Sequence, residues 1–362
     1  MELLQDIGHR YQDAFGAEDG SSLPMRRGIL RWLGLYFGDR EDLLRLPYTI
    51  VRKLCRAMLC EYQAEGFAAQ LPVKEAMELA LIAGESYLRP GDGNWQAISR
   101  GDILVFARDP RGEPTDVGLI EKSQIGRQHF TLLERRTLDG QGLVTVTHRL
   151  YRGNHRGDLG REVPLKVHPA YARLPGKCTW PQSLGGLGLV RVKLPMANCV
   201  DGSREGVAIY AAAEPLLKAI SENEAQLQGE FRRGQSRLVV SRDMLREGQL
   251  KDDLFVGLDD SPEAVGITIF APELREGAYL ARQQAYLRAL ENLIGLKRGL
   301  LSQVEAVDRT ATEITSTEGE YMGLIRELQR VWDEAVEKAV SLQEALTGEK
   351  QDWSITWGDG VL

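Results

Sequence analysis

Between Pro272 and Leu346 the apolar residues fall at helical steps on both sides of one polar break. Tyr279, Leu280, Tyr286, Leu287, Leu290, Leu293 and Ile294 recur at intervals of three and four and predict a helix over 272–295. Lys297-Arg298-Gly299 interrupts it. A second pattern starts near Thr312 and keeps Tyr321, Leu324, Ile325, Leu328, Val331, Trp332, Ala335, Val336, Ala339 and Leu346 in one stripe. The stripe lasts about seven turns, so this helix should be roughly 45 Å long, more than an ordinary small domain needs.

Upstream, the pattern is helical, then alternating, then helical again. Residues 1–40 have an ambiguous pattern, with a helix expected around Met25–Phe37. Asp42–Gln63 reads as a helix broken or begun afresh at Pro47, and Val73–Ala83 as a third, stopped by Gly84. Period-two stretches follow at Trp95–Ile98, Ile103–Ala107, Val117–Ser123, His129–Arg136, Leu143–Tyr151 and Glu162–Leu165. Pro90-Gly91-Asp92-Gly93, Asp109-Pro110-Arg111-Gly112 and Asp139-Gly140-Gln141-Gly142 separate them as turns. Residues 85–168 thus form an antiparallel meander, which with the preceding helices makes an α+β domain. Residues 169–205, rich in Gly and Pro, read as a connector. Helical spacing returns from Gly206 to Phe231, where Pro215 marks either a kink or a first turn. A small β unit over 234–271 has strands at Arg237–Ser241, Leu254–Leu258 and Val265–Phe270. The tail, Gln351–Leu362, is polar apart from Trp353 and Trp357.

Composition narrows the class. The hydrophobic fraction of 43% and charged fraction of 27% are those of a folded soluble protein. No apolar run reaches the length of a membrane span, and the first residues lack a secretion signal, which points to a cytoplasm. Cys55, Cys60, Cys178 and Cys199 have no metal spacing; Cys55 and Cys60 read as core thiols, with no disulfide expected. The net charge of −7 argues against tight DNA binding but permits a channel through which DNA slides without sticking.

Chemistry is sparse. There is no phosphate loop, and Gly185-Gly186-Leu187-Gly188 lacks dinucleotide-loop spacing. The histidines His9, His129, His148, His155 and His168 are scattered; His129 and His148 could meet across a hairpin. No serine nucleophile elbow is present, and the pairs Asp252-Asp253 and Asp259-Asp260 read as solvated loops. The reading is therefore of a non-enzyme with no catalytic residues, no metal and no cofactor.

One run, Thr310-Ala311-Thr312-Glu313-Ile314, has two compatible readings. It is a helix-capping sequence, with Thr310 or Thr312 as N-cap and Glu313 opposing the helix dipole. It also resembles the Thr-Ala-Thr-Glu-Val segment of tailed-bacteriophage (siphovirus-type) portal proteins. Further segments resemble that family in order: Leu119-Ile120-Glu121-Lys122, His129–Glu134, Arg149-Leu150-Tyr151, Leu159–Leu165, Leu194-Pro195-Met196-Ala197-Asn198, Gly206–Ala211 and Arg237–Ser241. Together they span about 40–345.

The resemblance implies a dodecameric ring at one capsid vertex that conducts double-stranded DNA during packaging and ejection. It implies a wing over 1–205, a descending stem helix over 206–233, a clip over 234–271 and an ascending stem helix over 272–295. A tunnel loop over 296–312, a long wing helix over 313–348 and a tail over 349–362 complete it. The helical crown of many relatives would be reduced or absent. Lys297, Arg298 and Arg309 become tunnel-loop candidates for phosphate contact, equally readable as solvated or interfacial charges. Implied partners are other copies of the chain, the major capsid protein, the terminase large subunit and a head-completion or adaptor protein, with no membrane. The implied location is the virion's portal vertex, with assembly in the host cytoplasm. The alternatives are a capsid or tail adaptor without a DNA channel and a nucleic-acid-processing enzyme.

Overall fold

A computed structural model describes residues 7–18, 20–21, 23–38, 44–91, 93–155, 157–234, 237–241, 255–258, 268–270, 275–303 and 311–358. The chain divides into two compact units, Met1–Ala212 with Ala311–Leu362, and Ala213–Thr310. The fold class is α+β, mixing helices with antiparallel sheet.

The first unit opens with α1 (Ile7–Phe15), α2 (Leu23–Phe37) and α3 (Leu46–Met58). Pro47 lies in the first turn of α3, where its missing N–H costs nothing. The expected helix to Gln63 stops at Met58, because Gln63–Gly66 is strand β1. Helix α4 (Val73–Ala83) ends where its pattern ends, and Gly84 takes φ +86°, the left-handed C-cap that glycine tolerates. Strands β2 (Glu85–Pro90) and β3 (Trp95–Ser99) form a hairpin, and β10 (Val190–Lys193) joins β2 on its other side.

A larger antiparallel sheet has the order β4-β5-β6-β7-β8: Ile103–Arg108, Pro114–Ile125, Gln128–Leu138, Val144–Gly153 and Arg161–Val163. Strand β9 (Lys177–Thr179) pairs with the far part of β7. The Asp139–Gly142 turn closes β6 onto β7 as the sequence predicts: Asp139 Oδ1 accepts from the N–H groups of Gln141 and Leu143 at 2.9 and 2.8 Å. Both faces of this sheet are buried. Tyr11 and Phe15 of α1 pack on Leu104, Ile120, Leu133 and Tyr151. On the opposite face Ile103, Val105, Val117 and Leu119 pack with Tyr87 of β2 and with Leu187. The stretch read as a connector thus supplies two strands, β9 and β10. Each is so short that only its distant partner makes it a strand.

Helix α7 (Ala311–Thr347) returns to this unit, about 55 Å long at 1.5 Å per residue. It buries Ile325, Leu328, Trp332, Ala335, Val336 and Ala339, six of the ten stripe residues read from the sequence, while Tyr321, Leu324, Val331 and Leu346 are half-buried; Trp332 Nε1 donates to Tyr62 Oη at 3.1 Å. The tail then forms strand β14 (Trp353–Thr356), antiparallel to β1. Trp357 packs on Tyr62 at 4.7 Å and donates to Asp333 Oδ1 at 2.9 Å. The two tail tryptophans are part of a strap, not an isolated polar end.

The second unit is built on α5 (Glu214–Arg233) and α6 (Glu276–Ile294). The helix expected from Gly206 begins only at Glu214, with Pro215 in its first turn, so no kink interrupts it. Residues 206–210 are non-helical and buried in the first unit: Ile209 N–H donates to Leu81 O, and Tyr210 Oη to Trp32 O and Ile82 O. Gly206 meets Gly84 so closely that a Cβ on either would strike the other's main chain. Between α5 and α6 lies a three-stranded sheet of order β12-β11-β13: Arg237–Ser241 (β11), Phe255–Leu258 (β12) and Thr268–Phe270 (β13). Strand β11 is parallel to β12 and antiparallel to β13.

Candidate functional site

Helices α5 and α6 run antiparallel, since Arg275 bonds Glu230 while Arg282 bonds Asn223 and Gln226. Asn223, 1% exposed, holds the middle of the pair: its Nδ2 donates to Tyr279 O at 3.1 Å and its Oδ1 accepts from Arg282 Nε at 2.6 Å. The apolar stripe of α6 is Leu287, Leu290 and Ile294, and one acid, Glu291, lies within it at 0% exposure.

That acid organises the turn after α6. Gly295, at φ +80°, caps the helix, and a tight turn over Lys297–Leu300 follows, closed by Leu300 N–H on Lys297 O at 3.1 Å, with Gly299 at φ +89°. The Glu291 carboxylate accepts from Gly299 N–H at 3.1 and 3.2 Å, from Leu301 N–H at 2.5 Å and from Ser302 N–H at 2.9 Å. It also accepts from Ser302 Oγ at 2.7 Å. Gln284 Oε1 takes the next N–H, that of Gln303, at 2.8 Å. A buried carboxylate is tolerable only with such a full set of donors. The turn is therefore fixed to α6, and on it Arg298 is exposed and Lys297 half-buried.

Of the predicted site residues, Lys297 and Arg298 lie on this turn. Arg309 and Thr310 fall outside the described residues, as do Asp252, Asp253, Asp259 and Asp260. Helix α7 already includes Thr312 and Glu313 in its first turn, so Thr312 is not the N-cap and the loop before α7 is shorter than 296–312. Glu291 was missed, although a charged residue inside an apolar stripe is itself a signal that donors converge there.

The first unit holds two further charged clusters that sequence reasoning missed. Glu85, 1% exposed, accepts from Arg191 through both Nε, at 2.8 Å, and Nη2; Arg100 Nε lies 2.9 Å away and Tyr87 Oη donates at 3.1 Å. Glu205 pairs with Arg100 at 3.4 Å and Arg108 at 3.5 Å. Burial raises the Glu85 carboxyl, but Arg191, Arg100 and Arg108 outweigh it and hold the pKa down at about 2. The Pro195-Met196-Ala197-Asn198 segment has a physical role here. Asn198 Oδ1 accepts from the N–H groups of Val200 and Asp201, and its Nδ2 donates to Ser203 Oγ, folding the loop that delivers Glu205.

The second cluster lines an open pocket of about 430 Å³ on the larger sheet. Glu134 accepts from Arg136 Nε and, at 3.2 Å, from Arg89 Nη1. Burial raises its carboxyl, yet Arg136, the His148 hydrogen bond and Arg89 together hold it well below the usual carboxylate range. His148 lies opposite Glu134 in the β6–β7 register, whereas His129 lies opposite Gly153, so the two histidines do not meet.

Beside this pocket stands the one arrangement among the described residues with a hydrolytic look, Ser123 Oγ 3.1 Å from His168 Nε2. Its geometry suits a positioning bond better than a base. His168 Nδ1 is buried without a partner, so a proton there would be a stranded donor; the favoured tautomer carries it on Nε2 and donates to Ser123. Burial lowers the His168 pKa, which keeps it neutral, and it stacks on Tyr171 at 4.1 Å. Among the described residues no group of three His, Cys, Asp or Glu is placed to hold a metal, and no helix is long and apolar enough to cross a membrane. No protein-family model matches the chain, and no curated protein matches it in sequence.

Proposed function

We propose that the chain is the subunit of a tailed-phage portal: a dodecameric, non-enzymatic ring through which double-stranded DNA enters and leaves a capsid. The observation that carries this reading is the excursion over Ala213–Thr310. In chain order the second unit consists of α5, a three-stranded sheet, the antiparallel α6 and a pinned basic turn, and a 37-residue helix of the first unit follows it. That order corresponds to stem, clip, stem, tunnel loop and long wing helix, and the ordered segment resemblances run alongside it. Terminase, head-completion protein and major capsid protein are the partners this reading requires. Force and nucleotide hydrolysis then come from the terminase, because the chain has no phosphate-loop motif.

A head-to-tail contact that repeats with rotation closes into such a ring. Cryo-electron microscopy of the purified protein tests it. The expected result is a twelve-fold ring whose bore admits a duplex about 20 Å wide and is narrowest at residues 296–312. A closed assembly with no bore would favour the adaptor reading, and a monomer would end the portal reading.

A further inference from the structure

The turn after α6 has a chemistry that the ring reading does not use. Three main-chain N–H groups, of Gly299, Leu301 and Ser302, and the Ser302 hydroxyl point at one spot, and a carboxylate fills it. Main-chain N–H groups turned inward around a glycine of positive φ form a concave nest for an anion, the device by which loops cradle phosphates; here Leu300 N–H stands apart, donating to Lys297 O. The sequence around it, Lys297-Arg298-Gly299-Leu300-Leu301-Ser302, adds two cations beside the nest. The occupant sits in the last turn of α6, where the helix dipole disfavours an acid. Glu291 is held there against that field by the nest's donors, which is a sign of how strongly the nest attracts negative charge.

We propose that the Lys297–Ser302 turn is an oxyanion nest closed by an autoinhibitory contact with its own Glu291 carboxylate, and that a phosphate group takes the carboxylate's place when Glu291 is absent or withdrawn. The ligand class is a phosphate oxyanion, free or within a polynucleotide. A phosphate offers an acceptor oxygen to each donor that Glu291 now satisfies, and Arg298, on the same turn, is exposed. The assignment does not depend on the ring reading, because the nest lies within a single subunit.

The test compares thermal unfolding of the full-length protein and its Glu291→Ala variant in chloride and in inorganic phosphate at matched ionic strength. In chloride E291A unfolds at a lower temperature than the wild type. Phosphate restores most of the loss in E291A while leaving the wild type unmoved, and adding Ser302→Ala weakens the restoration. A second arm replaces inorganic phosphate by a short duplex, so a response to the ion alone assigns the nest to free phosphate and a response to both extends it to DNA. Equal phosphate responses in wild type and E291A, or none in E291A, would overturn the proposal. Should E291A not fold, Glu291→Gln serves instead. Its amide group opposes the nest's donors, so hydrogen exchange at Gly299, Leu301 and Ser302 should accelerate roughly tenfold and slow again in phosphate. Exchange that ignores either change overturns the proposal equally.

Discussion

Single residues with formal charge do much of the fold-specific work here. Glu85 ties β2 to Arg100 in the turn before β4, to Arg108 at the end of β4, and to Arg191 of β10. Its carboxyl is held near 2, below the ordinary glutamate value of about 4.3, so it contributes stability that is fully present above the unfolded value and lost as pH falls toward the folded one. A shift of that size corresponds to about 3 kcal/mol. Denaturant midpoints measured between pH 6 and 2 should therefore drop steeply below about pH 4.5, with Glu134 adding in the same direction. Glu85→Gln should cost about 3–5 kcal/mol at neutral pH, because it strands buried guanidinium groups, and should flatten the acid slope. A slope unchanged by E85Q would remove Glu85 from that role. None of this was legible in the sequence, since Glu85 and Arg191 are 106 residues apart and neither carries a local pattern. Gly84 was legible, because a helix stop needs only its own neighbours. Its second duty, admitting the main chain of Gly206, was not.

At the scale of elements, periodicity located what depends on near neighbours and failed where a distant partner decides. The α4 and α7 stripes and the β6–β7 hairpin came through with boundaries close to those observed. Strands β9, β10 and β14 did not, since a strand of three or four residues has too few positions to show period two. The start of α5 was misplaced for a related reason: Val207, Ile209 and Tyr210 carry helix-like spacing but are buried in a non-helical segment that turns against α2 and α4. The α5–α6 pair supplies a prediction at this scale. Asn223 is its one buried amide and links Tyr279 to Arg282, so Asn223→Ala should cost about 1–3 kcal/mol, the range for stranding or losing buried hydrogen bonds. Hydrogen exchange should quicken along α5 and α6 while α4 and the larger sheet keep their protection. A double-mutant cycle with Arg282→Ala should return a coupling of about 1 kcal/mol. Uniform loss of protection throughout the chain would mean that Asn223 supports more than this helix pair.

For the whole molecule, the balance of charge sets what a DNA conduit made from this chain would do. The chain carries a net charge of −7, so attraction to phosphate has to come from local cations against a repulsive background. Arg298 is the exposed cation on a turn whose backbone is fixed by Glu291, and fixation means that every copy in a ring presents it alike. Such a ring should hold a short duplex weakly, and each phosphate neutralised adds roughly 0.9 to the salt slope. Retention measured by filter binding should be detectable near 50 mM salt and vanish by about 200 mM. In such a ring Arg298→Glu would change the charge by about two elementary charges per copy and should abolish retention at low salt. Because Arg298 is exposed, the same substitution should leave ring mass and thermal stability unchanged, which separates an electrostatic effect from a folding one. A ring that keeps its grip after R298E would place the DNA path away from this turn. Loss of the ring itself would instead assign Arg298 to contacts between copies, the interfacial role that its sequence position allows equally.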